Sequence, residues 1–198
     1  GMEKPEPDVM KRTPRPRNQP LLDRGLLWRA FWLGMIEAGL CFAGFLSVFI
    51  ISGHIDKIGF GFLAPSASLI NFRLVIPFDY ALLLASTVYH AGVVTSQVGN
   101  ALACRSDRSR SSSLGWLSNK YLWFSVLIEI LGIVAIIYVP FLANIFRHVP
   151  LPGWVWLALS LNAFVLYSIE WIRKAFVRSV KNMRNKKSSA LSIQEVTQ

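Results

Sequence analysis

The chain has 198 residues and a formal net charge of +10, from 21 Lys and Arg against 11 Asp and Glu. Hydrophobic residues make up 53% of it, which is too much for a basic soluble domain, because a domain of this size exposes much of its surface. The sequence has no basic patch interleaved with aromatic residues, so we expect no nucleic-acid partner. It also lacks a phosphate-binding loop and a Cys/His cluster, so we expect neither a catalytic residue nor a complete metal site.

The first 28 residues predict a cytoplasmic connector rich in proline and arginine. Five prolines within the first 20 residues prevent a regular helix, and the segment has too few apolar residues to form a core. Its cations are suited to contact with anionic lipid headgroups.

Four apolar runs follow, and none of them contains Lys or Arg. Each has the length that a helix needs to cross about 30 Å of hydrocarbon. Buried helices of a soluble protein would show shorter apolar stripes and polar opposite faces. The sequence therefore predicts an all-α, polytopic membrane domain over residues 29–180, with transmembrane helices at about 30–53, 80–104, 121–143 and 154–172. The basic tail, 181–198, is polar, and we expect it to fray.

The distribution of the basic residues predicts the orientation of the spans. Seven lie before the first span, four between the second and third, and seven after the fourth, so eighteen of the 21 fall on one side. Because cytoplasmic loops are enriched in Lys and Arg, both termini are predicted to be cytoplasmic.

Polar side chains inside the spans are the candidate functional residues, since ionisable groups there face a partner or a cavity and not lipid. On the second span, Ser86, His90, Gln97, Asn100 and Cys104 fall within an arc of about 80°. Such a polar ribbon can offer oxygen ligands to a hard cation. The alternative is hydrogen bonding between helices. The sequence favours that alternative for His90 and Asn100, and weighs the two equally for Gln97.

Three acidic residues lie on the other spans. Glu129 is central in the third span. Glu37 lies nearer the cytoplasmic end of the first, where it can snorkel or pair locally. Glu170 precedes Arg173 and Lys174 by one turn, which predicts a structural ion pair at the interface. Small residues on the first span favour close helix packing there, namely Gly34, Ala38, Gly39 and Ala43.

Several stretches resemble one protein family in the same order along the chain. The string PEPDVM at 5–10, followed by basic residues and Pro14, resembles the cytoplasmic loop after the sixth membrane helix of P-type cation-transporting ATPases, of the calcium and sodium/potassium pump branch. The stretches similar to the seventh, eighth, ninth and tenth helices are GMIEA at 34–38, TSQVGNAL at 95–102, residues 119–140 and EWIRK at 170–174.

The resemblance implies that the chain is the C-terminal part of the transport domain of such a pump. It would scaffold and partly line the cation path, with Gln97, Asn100 and Glu129 as candidates. The partners would be the pump's remaining helices and cytoplasmic domains. The parent pump would use ATP and Mg²⁺, but the phosphorylation motif DKTGT does not occur here. We therefore expect this chain alone neither to bind nor to hydrolyse ATP.

The resemblance also bears on the transported ion. Gln97 matches an eighth-helix ligand that is Glu in the two-site reticulum calcium pump, so one negative charge is missing. A single calcium or manganese ion, or a monovalent cation, fits more easily than two divalent ions. Glu129 matches a ninth-helix acid at an extra sodium site of the sodium/potassium pump.

Two other functions remain open from the sequence. The chain could be a free-standing four-span subunit that docks onto a separate pump, or a small channel or carrier. If it is a pump fragment, we expect Glu37, Gln97 and Glu129 to lack their partners in the isolated chain.

Overall fold

The computed structural model describes residues 23–63, 74–105, 115 and 118–196, and of the side chains beyond residue 180 only that of Met183. Most of the N-terminal connector, including PEPDVM, and most of the basic loop after the second span lie outside the described residues. Every regular element in the described residues is helical, and four helices are long and apolar enough to cross a membrane. The predicted all-α fold with four transmembrane helices is confirmed.

The described helices, in chain order, are α1 Arg24–Ser52, α2 Phe78–Ala103, α3 Lys120–Tyr138, α4 Pro140–Phe146 and α5 Gly153–Val196. Two short 3₁₀ turns, Ile55–Ile58 and Gly61–Leu63, lie between α1 and α2.

The two capping residues of α1 determine where this helix begins and ends. Asp23 caps its first turn, with its Oδ1 accepting a hydrogen bond of 2.7 Å from the backbone N–H of Leu26. The helix therefore starts six residues before the apolar run begins. Gly53 ends it in a left-handed conformation (φ 72°), which a glycine adopts without the steric cost of a Cβ.

The third apolar run does not form one continuous helix. Residue Val139 is extended (φ −82°, ψ 115°), because the proline ring at position 140 disfavours a helical conformation of the residue before it. Pro140 then occupies the first turn of α4, where its missing N–H costs no hydrogen bond. The predicted span at 121–143 is thus divided between α3 and α4.

The backbone of the polar tail continues α5 as a helix, where the sequence predicts a frayed end. The part of α5 suited to the membrane is Gly153–Val180, and the helical backbone extends beyond it to Val196. The proposed division of the chain at residues 28 and 180 stays a prediction.

Helix α2 lies at the centre of the bundle and packs against α1, α3 and α5. The apolar core occupies one half of the bundle, around the C-terminal halves of α1 and α3 and the N-terminal halves of α2 and α5. Phe49 is completely buried there and lies against Phe45 and Phe78, with ring centroids 5.2 Å and 5.9 Å away. The polar residues of the spans lie mainly in the other half.

The close helix contacts use glycines other than those expected. Gly34 and Gly39 on α1 have no atom within 4 Å of the place where a Cβ would lie. At Gly99 on α2, by contrast, a Cβ would overlap the backbone of Ala163 on α5. The prediction that the small residues of α1 mediate packing is wrong for these two glycines within the described helices.

Candidate functional site

Three polar side chains meet between α1 and α2. The Nε2 of Gln97 donates a 2.8 Å hydrogen bond to Oε1 of Glu37, and the Nδ2 of Asn100 donates one of 2.5 Å to Oε2. Both oxygens of one carboxylate are thus bound by amides from the neighbouring helix. We call Glu37, Gln97 and Asn100 the polar centre.

Helix geometry explains why two amides reach the same carboxylate. Gln97 and Asn100 are three residues apart on α2, a spacing that places side chains on one face. Gly99 lies between them, and its contact with Ala163 brings the backbones of α2 and α5 close together. This contact restricts the rotation of α2 and so directs the two amides towards α1. A weaker contact, 3.8 Å between the Cys41 Sγ and the Ser96 Oγ, lies on the same interface.

The polar centre combines buried negative charge with an unused acceptor. The side chain of Glu37 is buried, and among the described residues it has no basic partner. The Oδ1 of Asn100 is buried and has no hydrogen-bond partner within the described chain. Because an uncompensated carboxylate is costly inside a bilayer, this arrangement favours a cation nearby.

A cavity of about 280 Å³ lies between α2, α3 and the end of α4. Glu129 and His90 line it, together with His148 from the loop before α5. Within the described residues Glu129 makes no hydrogen bond or ion pair. Glu129 lies at the middle of α3, and the structure places a cavity beside it.

His90 has a partner that the sequence did not reveal. Its Nδ1 lies 3.0 Å from the Nε2 of His148, and the backbone N–H of Val149 donates to Thr87 Oγ1 at 3.1 Å. These contacts hold the loop before α5 against α2. Burial lowers the pKa of His148 below its ordinary value of 6.5, and the neighbouring His90 acts in the same direction. His148 lies in a short loop without periodicity, so no pattern could have indicated the contact.

Glu170 belongs to an ion-pair network at the end of the bundle where α2 terminates. Arg173 donates to it from Nε and Nη2 at 2.6 Å and 2.7 Å, as the spacing predicts, and Lys174 lies 3.7 Å away. Two further contacts connect other helices: Arg29 of α1 lies 3.0 Å from Glu170, and Lys174 Nζ donates to the Ala103 carbonyl at 2.6 Å. The network ties α1, α2 and α5 together and supports a structural role.

The structure divides the predicted polar ribbon of α2. Ser86 uses its hydroxyl within the helix, bonding to the Leu82 carbonyl at 2.9 Å, while His90 and the amides have separate partners. Glu37 and Gln97 bind each other, and the expectation that their partners from the rest of the pump are missing stays a prediction. Among the described residues no three His, Cys, Asp or Glu side chains are close enough to hold a metal ion. Further oxygen ligands would have to come from elsewhere.

Comparison with known proteins assigns the chain to a family. The profile of the family described as "Cation transporting ATPase, C-terminus" matches residues 1–176. The chain is 27% identical over 183 residues to "Calcium-transporting ATPase 1" of Yarrowia lipolytica, which covers 90% of this chain and 16% of that protein. Identity is also 27% over 176 residues to "Endoplasmic reticulum calcium ATPase srcA" of Aspergillus fumigatus, covering 86% and 18%.

A third relative is named for the transport of ions other than calcium. The "Sodium/potassium-transporting ATPase subunit alpha-4" of Rattus norvegicus is 25% identical over 195 residues, covering 89% of this chain and 18% of that protein. The chain therefore spans roughly a sixth of the length of the relatives it matches. With the family match across most of its length and four helices suited to the membrane, the chain belongs to the P-type cation-transporting ATPases, as their C-terminal transmembrane region.

Proposed function

We propose that the chain forms the C-terminal part of the transport domain of a pump that moves a cation across a membrane at the expense of ATP. The observation that supports this most is the polar centre. It places a buried carboxylate and two amides inside membrane-spanning helices, without a basic partner among the described residues. Gln97 and Asn100 would line the cation path, and Glu129 would border it from α3.

Calcium is the first candidate for the transported ion. Two of the relatives named above are calcium pumps by name, and hard cations such as Ca²⁺ are bound by carboxylate and amide oxygens. Manganese or a monovalent ion would use the same ligands. The remaining helices of the pump would complete the ligand set, and its cytoplasmic domains would bind ATP and Mg²⁺.

The orientation proposed for these helices places both termini in the cytoplasm, because eighteen of the 21 basic residues fall on that side. The basic connector, 1–28, and the tail, 181–198, would then lie next to anionic headgroups. The four helices between them, 29–180, would form the membrane domain. A free-standing docking subunit is not favoured, since the family match is to the C-terminal region of the pumps themselves.

Replacement of Gln97 tests the proposal. In the full-length pump that carries this chain, Gln97→Ala should weaken the apparent affinity for the transported cation roughly tenfold or more, the effect typical of losing a group at or next to a metal site. The measurement is the cation dependence of ATP hydrolysis in membranes.

Thr95→Ala is the matched control for Gln97→Ala. Thr95 lies on the opposite side of α2, and its hydroxyl bonds within the helix to the Gly92 carbonyl at 3.0 Å. We expect this variant to keep the wild-type affinity. If Gln97→Ala also kept the wild-type affinity and selectivity, Gln97 would serve only helix packing and the proposed role would be wrong.

A further inference from the structure

We propose that Glu37 of α1 supplies the negative charge of the cation path, in place of the carboxylate that position 97 of α2 lacks. The inference rests on the proposed transport function and adds α1 to the helices that border the cation path. Glu37 would be the charged residue of the polar centre and would determine its preference for cation charge.

The carboxylate of Glu37 both binds the two amides of α2 and orients them. It accepts hydrogen bonds from both amide nitrogens, at 2.8 Å from Gln97 and 2.5 Å from Asn100. An amide that donates through its nitrogen presents its carbonyl oxygen on the other side of the group. Glu37 therefore orients both amides with their oxygens away from α1. The buried and unpartnered Oδ1 of Asn100 is one of these oxygens.

Among the described residues no basic side chain neutralises Glu37, so either a bound proton or a cation from outside these helices must do so. Amides are neutral donors and cannot compensate a carboxylate that is only 9% exposed. The basic side chains at the end of the bundle, Arg29, Arg173 and Lys174, pair with Glu170 instead. Arg29 also precedes Glu37 by eight residues, about 12 Å along the helix. A transported cation would provide the missing positive charge.

A purely structural role for Glu37 makes a different prediction from a charged role. If Glu37 only joins α1 to α2 through hydrogen bonds, a role that we call a clamp, it needs acceptor oxygens and the right side-chain length but no charge. Glutamine keeps the length and one oxygen, and its NH2 group can donate to the unpartnered Oδ1 of Asn100 if that amide turns over, whereas aspartate keeps the charge but shortens the side chain. A clamp would therefore tolerate Glu37→Gln better than Glu37→Asp, and a charged ligand would show the reverse order.

The test compares four variants in the full-length pump: Glu37→Gln, Glu37→Asp, Gln97→Ala and the exchange Glu37→Gln with Gln97→Glu. The readouts are the membrane level of each protein and its apparent affinity for calcium, manganese and sodium. We expect Glu37→Gln to lose affinity roughly tenfold or more, with Glu37→Asp closer to wild type. The exchange should recover most of the loss, because it returns one carboxylate to the same pair.

The outcomes separate this inference from the function on which it rests. If Gln97→Ala lost affinity while Glu37→Gln kept it, the transport role would stand and Glu37 would be a clamp. If Gln97→Ala kept affinity, the proposed place of the polar centre in the cation path would fail, and the inference about Glu37 with it. If Glu37→Gln does not reach the membrane, the cation affinities of the exchange variant and of Glu37→Asp decide. Wild-type-like affinity of the exchange variant supports the inference. A tenfold loss of affinity in both variants overturns it.

Discussion

At the scale of single residues, the surroundings of His148 predict a response to pH. Burial lowers its pKa below 6.5, so the protonated form is disfavoured while the loop between α4 and α5 packs against α2. The contact of this loop with α2 is therefore stabilised above about pH 6.5. That stabilisation is lost as the pH falls through the lowered pKa of His148. The groups that face it are His90 from α2 and Glu129 from α3, with Arg147 adjacent in the loop. Once His148 is protonated, its Nε2 can only donate in the hydrogen bond with His90.

We predict that acidification loosens the loop between α4 and α5. In the full-length protein, backbone hydrogen exchange over residues 143–152, corrected for intrinsic rates, should be faster at about pH 5.5 than at about pH 7.5. In His148→Asn, which cannot be protonated in this range, the difference between the two pH values should disappear. Equal protection of the wild-type loop at both pH values would show that His148 does not control it.

The polar centre shows what could be predicted for individual residues and what could not. Helical periodicity predicts that Gln97 and Asn100 share a face, because they are three positions apart. Their partner, Glu37, could not be predicted, since it depends on how α1 is rotated against α2. That rotation follows from tertiary contacts, such as Gly44 against Val88. Short-range spacing was sufficient for Glu170 and Arg173, where both partners lie on the same helix.

At the level of helices, the crossing of α2 and α5 positions the polar centre. A Cβ at Gly99 would lie too close to the backbone of Ala163, which cannot move without shifting α5. We predict that Gly99→Ala lowers the stability of the full-length protein by roughly 1–3 kcal/mol, the usual cost of overpacking. The loss would appear as a lower midpoint of thermal aggregation in detergent, and cation affinity would fall with it because the amides of α2 would turn.

Gly34→Ala is the matched control for this variant. Gly34 has nothing within 4 Å of its Cβ position in the described residues, and alanine favours a helix over glycine by about 1 kcal/mol. This substitution should leave the aggregation midpoint unchanged or raise it. Equal effects of the two substitutions would mean that the close contact at Gly99 does not limit the packing of α2.

The ends of the helices differ from the apolar runs for local reasons. The runs predict where hydrocarbon is crossed, but backbone hydrogen bonding determines where a helix stops. Asp23 extends α1 beyond its apolar stretch, and Val139 before Pro140 interrupts the third stretch. The proline rule alone could have predicted that break. The helical continuation of α5 through its polar tail has no counterpart in hydropathy, which reports burial in lipid and not helix formation.

For the whole molecule, hydropathy predicted the number of spans because crossing about 30 Å of hydrocarbon requires long apolar helices. It did not predict that one half of the bundle holds an apolar core around Phe49 and the other half the polar centre. That separation arises from helix packing. It leaves the buried carboxylate of Glu37 in the polar half of the bundle.

The central claim, that this chain is part of an ATP-driven cation pump, is tested most directly by ion uptake. The measurement is the accumulation of calcium, manganese or sodium in sealed vesicles that contain the full-length protein, with and without ATP. We predict that one of these cations accumulates only when ATP is present, and that Gln97→Ala shifts its concentration dependence. Uptake without ATP, or no uptake of any of the three by protein that is folded in the membrane, would contradict the account.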